Sequence, residues 1–98
     1  MAKQPKDAPP DLGDIRKRID AIDERIQSLI NERAEFAQAV GKSKGDVTSA
    51  VDYYRPEREA DVLRRVLERN EGPMRDEEML RLFREIMSAC LAQQEPLK

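Results

Sequence analysis

One apolar row constrains this chain more than any other feature. Leu12, Ile15, Ile19, Ile22, Ile26, Leu29, Arg33, Phe36 and Val40 follow one another in alternating steps of three and four residues. That spacing holds side chains on one stripe of a helix, the stripe along which two helices wind together. Every member except Arg33 is apolar, and from Asp14 onward Gly41 is the only glycine before Gly45. The row therefore predicts a helix over 12–44, about 50 Å long at ~1.5 Å per residue.

The remainder divides around this helix. Residues 1–11 are polar and carry Pro5, Pro9 and Pro10, so they read as a disordered lead-in. Residues 45–55 are rich in turn formers and read as a loop. Pro56 sits where a first helical turn tolerates proline. A second helix is predicted over 56–70, with Val62, Leu63, Val66 and Leu67 on its inward face. Asn70, Gly72 and Pro73 stop it. Asp76 is the expected N-cap of a third helix, with Glu77 and Glu78 near its positive end. The apolar face of that helix is Met79, Leu80, Phe83, Ile86, Met87, Cys90 and Leu91. The domain is expected to span 12–95, and Pro96 opens a short tail or truncated linker (96–98). With no strand pattern and no repeat, the fold class is all-α, three helices per chain.

A 50 Å helix cannot be covered by partners of ~15 and ~19 residues within one compact chain. Only 4% of the 98 residues are aromatic and 39% are charged, which leaves a monomer a thin core. A second copy of the chain is the economical cover, and an intertwined helical homodimer is expected.

Composition also removes whole classes of chemistry. There is no histidine and a single cysteine, Cys90. A Ser-His-Asp triad, a Cys-His pair and an ordinary zinc site are excluded, and no metal or cofactor is expected. The net charge of −2 shows no basic excess, so nucleic acid is not an expected partner. No apolar run approaches ~18 residues, and the N-terminus has no apolar signal region. A lone cysteine fits a reducing cytoplasm.

Polar groups on apolar faces carry more information than charges elsewhere, because burying them unpaired costs several kcal/mol. Arg33 interrupts the seam; it either sets helix register or meets an anion inside the fold. Lys44 lies within about 20° of the same face, and would otherwise be an ordinary lysine at a helix end. Arg58 and Glu59 open the second helix, with Glu59 at the head of its inward face, or simply complementing the dipole. Gln94 ends the apolar face of the third helix, or frays. Together, basic groups, one carboxylate and one amide aimed inward suggest a pocket for a small anion bearing a hydroxyl.

Three segments carry a family resemblance. IRKRIDAIDERIQSLINERAEFAQAVGKSK resembles the opening helix of the all-helical, AroQ-type chorismate mutases. YYRPEREADVL resembles their P-x-R-E segment, and LRLFREIMSACLAQQ their closing helix. The match covers residues 12–95. It is most similar to the mutase domain that begins bifunctional chorismate mutase–prephenate dehydratases. Its specificity lies in the combination of R-(x)16-R-(x)10-K, R-E and a C-terminal Q.

The resemblance implies conversion of chorismate to prephenate, with these roles by position. Arg16 and Arg33 would hold the two substrate carboxylates, and Arg58 would support that network. Lys44 and Gln94 would donate to the ether oxygen of the breaking bond, and Glu59 would accept from the ring hydroxyl. The chain departs from the pattern at two positions. Arg55 stands where some members place an aspartate, so any contact there would run through backbone or be absent. Cys90 stands where some place a serine. The loop between Lys44 and Arg58 is also slightly longer than in the shortest members.

These residue types suit the implied reaction, an intramolecular [3,3] rearrangement with no proton transfer. A protein accelerates it by holding the dianion in its reactive chair. It can also place fixed charge and donors where the ether oxygen becomes negative. Arg16 and Arg33 lie about 25 Å apart along one helix and about 100° apart around it. One small molecule can meet both only if they come from different subunits, so the resemblance implies sites shared across the homodimer. Two alternatives remain open: a non-enzymatic helical dimerisation module, and an isochorismate-pyruvate lyase on the same scaffold.

Overall fold

The computed structural model describes residues 11–43 and 55–94. They form three helices: α1 (Leu12–Ser43), α2 (Pro56–Arg69) and α3 (Asp76–Gln94). No strand occurs among the described residues. The all-α expectation is met, and the helix boundaries fall within a residue of those expected. No described helix is long and apolar enough to cross a membrane. The chain divides into two compact units, Met1–Asn31 and Glu32–Lys98.

The first unit consists, in its described part, of the early turns of α1. The carbonyl of Asp11 accepts the first helical hydrogen bond, from the Ile15 N–H at 3.0 Å. Asp14 in the first turn complements the positive end of the helix. The apolar row lies on the surface. Exposure runs from 37% at Ile15 to 60% at Leu29, with Leu12, Ile19, Ile22 and Ile26 between them. Isolated apolar side chains on a surface are unremarkable, whereas this row is continuous along the helix.

The second unit has a small core: Ala37, Val66 and Cys90 are buried. α2 and α3 pack against each other through the expected faces. Val62, Leu63, Met79, Leu80, Phe83, Ile86, Met87 and Leu91 are half-buried, whereas Leu67 at the end of α2 remains exposed. The corner between these helices is tied by Asn70. Its backbone N–H donates to the Leu67 carbonyl at 3.3 Å. Its Nδ2 donates to the Met74 carbonyl at 2.9 Å and to Asp76 Oδ1 at 2.7 Å. Gly72 adopts φ 77° inside this turn, where a side chain would be strained.

The cap of α3 differs from the expectation. Asp76 is the first helical residue rather than the N-cap, and its carboxylate serves Asn70. Arg75 takes the cap position: its carbonyl accepts from the Met79 N–H at 3.0 Å. Its own N–H donates to Glu78 Oε1 at 3.3 Å. A glutamate reaching back from the third helical position is half of a capping box.

The outer face of α2 carries solvent-exposed ion pairs. Arg64 meets Asp61 at 2.8 Å and Glu68 at 3.4 Å. The hydrogen bond and charge of Arg64 hold the Asp61 carboxyl below its ordinary value. Such exposed pairs add little to stability.

Candidate active site

The second unit contains a cavity of about 510 Å³ with walls from all three helices. α1 contributes Arg33, Phe36, Ala37 and Val40, side chains three and four residues apart on one face. The start of α2 contributes Arg55, Arg58, Glu59 and Val62. α3 contributes a strip running from Arg84 through Met87, Cys90 and Leu91 to Gln94, with Ser88 beside it. The apolar members supply a floor of low polarity, against which charged groups act more strongly than in water.

The charge around this cavity is one-sided. Four arginines, Arg33, Arg55, Arg58 and Arg84, line it with a single carboxylate residue, Glu59. Arg33 and Glu59 are half-buried; Arg55, Arg58 and Arg84 are exposed. None of the four forms an ion pair among the described residues, whereas Arg64, Arg65 and Arg75 all do. A cavity lined by an excess of cations attracts an anion sized to it. The entry of α2 is fixed by backbone: the Glu59 N–H donates to the Arg55 carbonyl at 3.0 Å. Arg55 and Glu59 therefore stand one helical turn apart on the cavity wall.

Gln94 supplies the other polar feature. Its Oε1 is buried with no hydrogen-bond partner among the described residues, an arrangement that native interiors largely avoid. Rotating the amide by half a turn exchanges Oε1 for the Nε2 donor, so this side chain can offer either function to a ligand. The last turn of α3 is held beside α1 by two contacts. Gln38 Nε2 donates to Gln93 Oε1 at 3.2 Å. The backbone of Gly41 also lies so close to Gln94 that a Cβ there would stand 2.9 Å from the Gln94 Cα.

Of the residues singled out from sequence, the structure gathers Arg33, Arg58, Glu59 and Gln94 on this cavity, together with Arg55 and Cys90. Arg16 is exposed on the first unit. Lys44 lies outside the described residues. Arg84 and Ser88 were not anticipated, although their spacing from Met87 and Leu91 places them on the same helical face.

Residues 15–95 match the family described as "Chorismate mutase type II". The chain belongs to that family. The resemblance read from the sequence is thereby borne out, over nearly the same span. Among type II relatives, a "Bifunctional chorismate mutase/prephenate dehydratase" of Stutzerimonas stutzeri is 53% identical over 87 residues, covering 86% of this chain and 24% of that protein. One of the same description from Neisseria gonorrhoeae is 56% identical over 82 residues, covering 84% and 22%. A third, from Aquifex aeolicus, is 36% identical over 92 residues, covering 90% and 25%. The chain thus spans about a quarter of the length of the curated relatives it matches.

Proposed function

We propose that this chain is a chorismate mutase, rearranging chorismate to prephenate within the Arg33–Arg58–Glu59–Gln94 cavity. The observation that carries the reading is the composition of that cavity: guanidinium groups and a buried amide oxygen without partners among the described residues, and one carboxylate, with apolar side chains between them. Chorismate presents two carboxylates, an ether oxygen and a ring hydroxyl. Arg33 takes one carboxylate, and Arg58 supports that network. Glu59 accepts from the hydroxyl. Gln94, its amide turned to present Nε2, donates to the ether oxygen, and Lys44 is its partner in that role.

The ether C–O bond breaks as the new C–C bond forms in one six-membered transition state, and no proton leaves or enters. Binding the dianion in its folded chair removes most of the entropic barrier. Donors aimed at the ether oxygen then stabilise the charge that develops there. The chain's own side chains meet both needs.

The second carboxylate is assigned to Arg16 of another copy. The exposed apolar row from Leu12 to Leu29 supports that assembly, since it offers a second α1 a contact face along its length. The working protein is accordingly an intertwined homodimer with two shared sites, in the cytoplasm.

The decisive experiment is incubation of the purified protein with chorismate while its ultraviolet absorbance is followed. Loss of the chorismate band with prephenate as product supports the mutase. Unchanged chorismate from a folded dimer would leave a helical dimerisation module. Preferential release of pyruvate from isochorismate would identify the lyase instead.

A further inference from the structure

Arg84 is the cavity-lining cation to which neither the motif nor the chemistry above gives a role. It begins the α3 strip that continues one turn later through Met87 and Ser88, then Leu91, all of which line the cavity. It is exposed and has no carboxylate partner among the described residues. Its neighbour Arg81, on the same helix, is also exposed but does not line the cavity.

We propose that Arg84 is a further substrate-binding residue, an exposed cation on α3 that helps draw the dianion into the cavity. This rests on the mutase reading of the same site. Arg33 is half-buried, whereas Arg84 on α3 is exposed, as are Arg55 and Arg58 at the start of α2. A ligand approaching from solvent meets the exposed charge first. Charges at the rim of a site act chiefly on encounter and on its salt dependence, and less on the bound chemistry. Arg84 therefore contributes to capture, and its removal is felt in KM rather than in kcat.

The test is steady-state kinetics on chorismate for wild type, Arg84→Gln, Arg84→Lys and Arg81→Gln, each at about 10 mM and about 1 M KCl, which shortens the screening length from ~30 Å to ~3 Å. Arg84→Gln is expected to lower kcat/KM about three- to five-fold at low salt, through KM, as befits one exposed charge. The deficit should vanish at high salt, Arg84→Lys should keep most of the wild-type value, and Arg81→Gln should match wild type. An equal loss in Arg81→Gln would assign the effect to net charge and overturn the proposal. So would a deficit that persists at high salt, or one confined to kcat. A wild type that leaves chorismate intact defeats the parent reading and this one with it. An active wild type indistinguishable from Arg84→Gln defeats this one alone.

Discussion

Gly41 and Gln94 are in backbone contact: a Cβ added to Gly41 would lie 2.9 Å from the Gln94 Cα and 3.0 Å from its carbonyl carbon. Real Cβ atoms do not approach backbone so closely, and neither helix backbone can swing aside as a side chain tip could. Glycine at 41 therefore sets how near the end of α3 comes to α1, and with it the reach of the Gln94 amide. Gly41→Ala gains about 0.5–1 kcal/mol of helix propensity but overpacks a backbone contact at a cost of about 1–3 kcal/mol. The net expectation is a Tm lower by a few degrees and a kcat about ten-fold or more below wild type, because small misplacements of catalytic groups are costly. Calorimetry and kinetics together check it. In a Gln94→Ala background the same change should cost little further activity.

Gln94→Glu tests which function the amide offers. An amide donates at any ordinary pH, whereas a carboxyl donates only when protonated. The ionised side chain would set negative charge beside an oxygen that is itself becoming negative. The mutant should be slower by about 10²-fold at neutral pH. It should recover as pH falls towards its carboxyl pKa, near ~4.3 if unperturbed and higher if buried. The wild type should show no acid-dependent rise. Rate–pH profiles that coincide at pH 7–8 would remove Gln94 from the ether oxygen.

Arg16 and Arg33 test the shared site. Arg16→Ala and Arg33→Ala should each abolish activity and leave the oligomer intact. After subunit exchange, half of the dimers pair the two variants, and each such dimer has one site with both arginines and one with neither. Roughly a quarter of wild-type activity should return for isologous pairing. No recovery, with exchange shown independently by labelled subunits, would mean that both arginines serve from one chain.

The apolar row makes a stability prediction. Ile22 and Ile26 are 49% and 48% exposed in the isolated chain. Replacing both with glutamate should abolish folding as well as pairing, because obligate dimers often have no stable folded monomer. Circular dichroism and sedimentation velocity read the two outcomes. A folded, active monomer would refute the shared site.

What could be read in advance was whatever a single helix contains. The three-and-four spacing from Leu12 to Val40, and the face from Met79 to Leu91, are local periodicities that need no knowledge of neighbours. Arg33, Glu59 and Gln94 stood out because each was polar at an apolar register. The α3 cap was misplaced by one residue, since a cap depends on the direction of the incoming chain. Glu78, three residues past Arg75, was the available signal. Arg84 was passed over because an exposed arginine on a helix looks like solvated surface until two other helices close a cavity against it. Gly41 was noted only as the one glycine between Asp14 and Gly45. Its purpose depends on the distance between two backbones, although a glycine placed late in an otherwise strong helix is itself a hint of close approach.

The four guanidinium groups around one carboxylate bear on how the protein will behave at the bench. Small multivalent anions are expected to compete for the cavity, since phosphate, sulfate, citrate and malonate all offer paired oxygens to arginine. In such buffers the apparent KM should rise with buffer concentration while the Tm rises too, since a bound anion stabilises the folded form by mass action. Zwitterionic buffers with chloride would report the intrinsic constants. The same greed for oxyanions makes sulfate and malonate natural first choices for ordering the site in crystals.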